Sequence, residues 1–179
     1  MKLLRTIQLD ASDAFVFERA AAPGEWAVSG AFVFLNLNIP ALQGRARASF
    51  RAGFLGLSSL GRSTLVQIVD ATEQDRAAAV ELLAAQLVAR FGAPNLASAH
   101  AAAEEEIAFA ASLCHSAAGV IVAVTRTFES GSIREAYRSL LPGTQSPSRP
   151  FNFVEVIGED GTEAEEHLDL AEPAKGESI

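Results

Sequence analysis

The chain has 179 residues, 14 of them Lys or Arg and 22 Asp or Glu, for a formal net charge of −8. That balance argues against nucleic acid, whose binding rests on Lys and Arg neutralising phosphates. Apolar residues are 49% of the chain, too many for a disordered protein. A single cysteine, Cys114, excludes an internal disulfide, and no run approaches the roughly 20 apolar residues of a membrane span, so the expectation is one soluble, cytoplasmic domain.

Residues 3–9 read as a strand. Phe15-Val16-Phe17, a Pro23-Gly24 turn and the apolar run 26–35 predict a hairpin, from aromatic and β-branched enrichment on either side of Pro-Gly. Pro40 then opens a helical stretch in which Leu42, Ala46, Phe50 and Phe54 recur every four residues. Gly53, Gly56 and Gly61 break it, and residues 64–69 form a short apolar strand. Thr72, with Asp75 three residues on, caps a helix whose Val80, Leu83, Ala84, Leu87, Val88 and Phe91 make one apolar face. Gly92-Ala93-Pro94 stops it, and Asn95 starts a second helix running to about Cys114. So short a connection makes the two helices antiparallel neighbours, with Val80, Leu87, Ala103 and Ile107 turned inward.

Residues 119–128 read as a strand, and Ser132 with Glu135 as a capping box opening a short helix over 133–141. The order of elements is not a regular strand–helix alternation. It predicts an α+β domain over 1–141, with a mainly antiparallel sheet covered on one face by helices. Residues 142–150 have the composition of a linker, and 151–179 that of an acidic tail, in which 151–157 are expected either to add as an edge strand or to clip onto the body.

The charge is unevenly laid out. Between Glu25 and Asp70 there is no carboxylate, while Arg45, Arg47, Arg51 and Arg62 all lie there. Residues 26–69 therefore carry +4 and the remainder −12. Unpaired arginines must find anions elsewhere in the fold, in a ligand or on a partner. Arg47 and Arg51, one helical turn apart and off the Leu42/Phe50 face, suit bidentate capture of a carboxylate or phosphate. The bland alternative is a solvated surface. Of the run Glu104-Glu105-Glu106, a helical wheel puts only Glu106 within the apolar arc. A carboxylate there must be paired or carry a raised pKa, unless the arc is wider than the true contact. These five residues, Arg45, Arg47, Arg51, Arg62 and Glu106, are the candidate anion- or partner-binding set.

Other motifs are weaker. The segment Gly56-Leu-Ser-Ser-Leu-Gly61-Arg62-Ser63 has the glycine spacing of a phosphate-binding loop with Arg in place of Lys. A helix precedes it and a strand follows, the reverse of what phosphate cradling needs. His100 and Glu104 have metal-ligand spacing, but two ligands are too few for a site. Cys114 and His115 point about 100° apart on a helix, so Cys114 suits packing better than nucleophilic chemistry. His167 falls in the acidic tail. No catalytic residue, metal or cofactor is implied.

The runs Ala27-Val-Ser-Gly-Ala-Phe-Val-Phe34, Ala102 to Cys114 and Ser132-Ile-Arg-Glu-Ala-Tyr137 resemble an uncharacterised family of small alphaproteobacterial proteins. The likeness spans about residues 1–141. It implies an association with formate dehydrogenase and its maturation factors, and brings no catalytic residues. The expectation is a non-catalytic accessory protein that binds a protein partner, possessing no site for nucleic acid or membrane. The alternative is a small enzyme or ligand-binding domain holding an anionic small molecule between Arg47/Arg51 and Glu106. Whether the chain is an enzyme, and its oligomeric state, stay open at this level.

Overall fold

The structure, a computed structural model, describes residues 1–141 and the strand Glu155–Ile157. The expected linker 142–150 lies outside the described residues, as does the expected tail apart from 155–157. The elements run β1 (Lys2–Ile7), α1 (Ser12–Val16), β2 (Trp26–Val28), α2 (Gly44–Ala52), β3 (Phe54–Gly56), β4 (Arg62–Ser63) and β5 (Leu65–Asp70). There follow α3 (Glu73–Arg90), α4 (Leu96–Ser112), β6 (Ile121–Glu129), β7 (Ser132–Leu141) and β8 (Glu155–Ile157). Two 3-10 turns, Ala31–Phe34 and Ile39–Ala41, lie between β2 and α2. The strands form one antiparallel sheet in the order β4-β3-β2-β1-β5-β6-β7-β8. The fold is α+β.

The α3–α4 pair forms as the residue pattern dictates. The Thr72 hydroxyl accepts from the Asp75 amide at 3.1 Å, and the Asp75 carboxylate accepts from the Thr72 amide at 2.9 Å. Asn95 caps α4 by accepting from the Ser98 amide at 2.8 Å. Val80, Leu83, Leu87, Ala103, Ile107 and Ala110 bury between the helices and the sheet. On the sheet, Val66, Ile68, Val122 and Val124 alternate with more exposed neighbours and supply the facing core. A smaller cluster of Phe34, Ile39 and Phe50 joins α2 to the 3-10 segment. No helix among the described residues is long and apolar enough to cross a membrane.

Three local expectations are corrected. Residues 133–141 are strand β7, not helix. Ser130 and Gly131 both have positive φ (51° and 79°) and make a two-residue hairpin loop between Glu129 and Ser132. Such mirror-type turns match the strand twist, and the Ser132–Glu135 spacing that imitates a capping box instead lies in a ladder with β6. Phe15-Val16-Phe17 does not pair with 26–35. The first two residues end α1, and β2 pairs with β1 through Leu4 and Ala27. The Pro23-Gly24 turn is real, with Gly24 at φ 82° donating to the Thr6 carbonyl. Finally, Phe54 keeps the four-residue rhythm of α2 but belongs to β3. The chain extends at Gly53, where a Cβ would lie 2.9 Å from the Ser49 carbonyl oxygen.

The Ser130-Gly131 turn offers a direct test of the β7 assignment. Gly131→Val should lower stability by roughly 1–2 kcal/mol, because a β-branched residue resists φ near 79°. Gly131→Asn should cost less than half as much. Urea unfolding of the two variants beside the parent measures the difference; equal midpoints would remove the turn from the account.

Candidate functional site

Strand alternation carries Arg126 onto the same face as Val122 and Val124, while Thr125 and Thr127 face outward. Its partner across the ladder is Glu135. Arg126 is 1% exposed, so its charge must be met inside. Nε donates to Glu135 Oε1 at 2.6 Å. One terminal nitrogen donates to the Phe50 carbonyl at 3.0 Å and the Gly53 carbonyl at 2.8 Å. The other donates to the Ser29 carbonyl at 2.5 Å and the Ser29 hydroxyl oxygen at 3.2 Å. All of its N–H donors are thus engaged. The Ser29 hydroxyl in turn donates to Glu135 Oε1 at 2.5 Å.

Arg62 is also buried, at 7% exposed. Among the described residues it has no carboxylate partner. It donates to the Gly30 carbonyl at 3.5 Å and the Gly53 carbonyl at 3.3 Å, with its guanidinium carbon 4.7 Å from the centre of the Phe34 ring. Burial, and secondarily the charge of Arg126, bring its pKa down to about 9. Both guanidiniums meet the Gly53 carbonyl, at the C-terminal cap of α2. The helix dipole makes that end negative, which helps two cations share a region with one directly bonded carboxylate.

Glu106 is partly buried within the electrostatic reach of Arg126 and Glu135. Its pKa is raised to about 7, first by burial and then by the charge of Glu135, with Arg126 opposing the shift. Glu104 and Glu105 are exposed. The Tyr137 hydroxyl is buried with no hydrogen-bond partner among the described residues, and its ring meets Phe54 and Phe109. Burial, first of several causes, shifts that hydroxyl well above the ordinary tyrosine range.

Glu135 also reaches the wall of an open cleft of about 440 Å³. Leu35, Leu37, Ile39, Phe128 and Ile133 give it an apolar lining. Leu35 is 69% exposed and Leu37 48%, high for residues of their size. Ile39 belongs to the Phe34–Phe50 cluster and Ile133 packs against it, so α2 and the cleft share one support.

The candidate set of residues divides. Arg45, Arg47 and Arg51 are exposed on α2 and enter no salt bridge among the described residues. Arg62 is an internal strut, and Glu106 neighbours Arg126 rather than bonding to Arg47 or Arg51. Arg126 and Ser29 stand outside the sequence-derived candidates, and Glu135 enters there only as a cap of the expected helix. The signal for Arg126 was present: it continues the two-residue period of Val122 and Val124.

The glycine-rich segment 56–61 is the turn of a β3–β4 hairpin. Its amides at Ser58 and Ser59 donate to Glu25 Oε2 at 2.9 and 2.8 Å, and Glu25 Oε1 accepts from the Ala22 amide at 2.7 Å. An internal carboxylate fills the place a phosphate would take. Gly56 is required there, since a Cβ would lie 2.7 Å from Glu25 Oε2. His100 pairs with Glu81 at 3.1 Å, and Cys114 is buried, its thiol raised to about 11 by burial.

Residues 1–148 match the model of the family of unknown function DUF6505, and the chain belongs to that family. No curated protein and no solved structure matches it.

Arg126→Met should destabilise the fold by about 3 kcal/mol or more, because it leaves the Glu135 carboxylate without its main partner. Adding Glu135→Gln should recover part of the loss, which urea titration of both variants would reveal. Glu106 predicts a pH effect of defined sign. Its folded pKa lies above the unfolded value, so its contribution is fully present at low pH and is lost as pH rises from about 4.5 through about 7. Glu106→Gln should therefore raise the melting temperature at pH 8 and leave it nearly unchanged at pH 4, whereas Glu105→Gln should move neither.

Proposed function

We propose that this member of the DUF6505 family is a non-catalytic accessory protein that binds a protein partner at the cleft between the 3-10 segment and the β6–β7 turn. The observation that carries the reading is the exposure of Leu35, Leu37 and Phe128 around a concave apolar surface, on a molecule whose α2 helix also exposes three arginines with no salt bridge among the described residues. Soluble proteins rarely leave large apolar residues grouped in this way without a binding role. An apolar centre with a charged rim is also the usual anatomy of a protein interface.

The internal polar groups support binding over catalysis. Arg126 has committed its donors, and Ser29 is 1% exposed with its hydroxyl held by Glu135. A nucleophile needs access to substrate and a base free to take its proton. The rival reading placed an anionic small molecule between Arg47/Arg51 and Glu106. No salt bridge or hydrogen bond among the described residues joins those groups, and the charges felt by Glu106 are those of Glu135, Arg126 and Glu105, with neither Arg47 nor Arg51 among them. The family resemblance adds that the partner would belong to a redox enzyme system of the formate dehydrogenase kind.

The test is recovery of partners by the tagged full chain from its native cell, beside two variants. Leu37→Asp places a charge in the cleft, and Arg47→Glu with Arg51→Glu reverses the rim. Each should cut recovery of a specific partner at least about tenfold, and the wild-type interaction should weaken with added salt, since exposed charges are screened over roughly 8 Å at physiological ionic strength. Retention of the same partner by both variants would move the interface elsewhere on the molecule.

A further inference from the structure

The acidity of this protein is not spread over its folded body. Residues 1–141 hold twelve Lys and Arg against thirteen Asp and Glu, close to neutral. Residues 158–179 hold eight Asp and Glu against Lys175 alone, so nearly the whole formal charge of −8 follows Ile157. On the body, Arg45, Arg47 and Arg51 stand exposed on α2 and enter no salt bridge among the described residues.

The pairing of β8 sets the direction in which that strand runs. Glu155 faces Leu141 and Ile157 faces Ser139, antiparallel. β8 therefore runs toward lower numbers on β7, in the direction of Ile133 and Ser132, which line the cleft. That end lies six to seven positions from Ser139, or about 20–23 Å at roughly 3.3 Å per residue. The 22 residues after Ile157 reach up to about 75 Å when extended, so length is in surplus. The segment also carries Leu168 and Leu170 among Glu163, Glu165, Glu166 and Asp169, an apolar pair set in acid, complementary in kind to an apolar cleft and to the exposed arginines of α2, the helix whose Phe50 shares a cluster with Ile39 and Ile133 of the cleft.

We propose that residues 158–170 dock back on the body of the same chain, with Leu168 and Leu170 in the cleft and the surrounding carboxylates against Arg45, Arg47 and Arg51. This rests on the reading of the cleft as a docking site and adds its regulation. The tail is an internal occupant that a partner must displace. A tethered segment competes at high effective concentration, so weak contacts suffice to hold it.

The test uses the full chain with Cys114→Ala and His167→Cys, carrying a nitroxide at position 167 and 15N in the backbone. Amides of Leu37, Gly131 and Ser132 should lose more than about half their intensity at about 50 mM salt and recover at about 500 mM. Those of Ala79 and Leu83, in the α3 core, should be unaffected. Reversing Arg45, Arg47 and Arg51 to Glu should restore the cleft signals at low salt. Mixing nitroxide-labelled 14N chain with unlabelled 15N chain separates docking within a chain from docking between copies. Uniform intensities, broadening away from the cleft, or broadening of the cleft amides that persists in the mixed sample would each overturn the proposal. Partner recovery is read separately: a failed tail contact, with the partner still recovered by the parent and lost by Leu37→Asp, removes only the tail.

Discussion

A single buried guanidinium organises the end of the sheet where the cleft lies. Arg126 binds the last turn and cap of α2 through Phe50 and Gly53, the chain leaving β2 through Ser29, and the neighbouring strand β7 through Glu135. Two of these segments are too short to hold their positions by themselves: β2 has three residues and α2 nine. An isolated helix of that length is marginal in water. The cost of desolvating Arg126 is offset only if every contact is made together, so the segments are fixed as a group. The residues that line the cleft then follow from where those segments end.

This arrangement explains what the sequence reveals and what it hides. The elements α3, α4, β5 and β6 are legible because their patterns are local: caps three residues apart, an apolar stripe, a two-residue alternation. The strand β7 was harder, since Ser132 and Glu135 have the spacing of a helix start and Arg134, Ala136 and Arg138 face solvent. Its real signature is the Ser130-Gly131 turn, whose length suits a hairpin. The end of α2 was misread because Phe54 repeats the helical period by coincidence while Gly53 has already turned the chain into β3. Contacts that assemble the site, Ser29 with Glu135 or Arg126 with Phe50, join residues 106 and 76 positions apart. No window of sequence contains them.

The acid-free run between Glu25 and Asp70 turns out to have two physical outcomes. Arg62 is drawn inward, where carbonyl groups, a helix end and an aromatic ring take the place of a carboxylate. Arg45, Arg47 and Arg51 remain outside on a helix whose opposite side carries Phe50 into the core. Glu25, the last carboxylate before the run, is spent on the amides of the β3–β4 turn. Charge counting across a segment therefore identifies an imbalance, while burial decides which members are free to act on solvent or a partner.

The same network shapes what the cleft accepts. Glu135 is its acidic wall residue, yet the carboxylate already receives Arg126 and Ser29. An incoming apolar side chain need not strip water from an unpaired internal charge, the penalty that normally opposes burial beside a carboxylate. On the reading proposed above, the centre of the cleft would favour apolar contact, and discrimination between occupants would fall to the exposed arginines of α2. Because those arginines and the cleft rest on the same Phe34–Phe50 cluster, shape and charge are presented together rather than as separate sites.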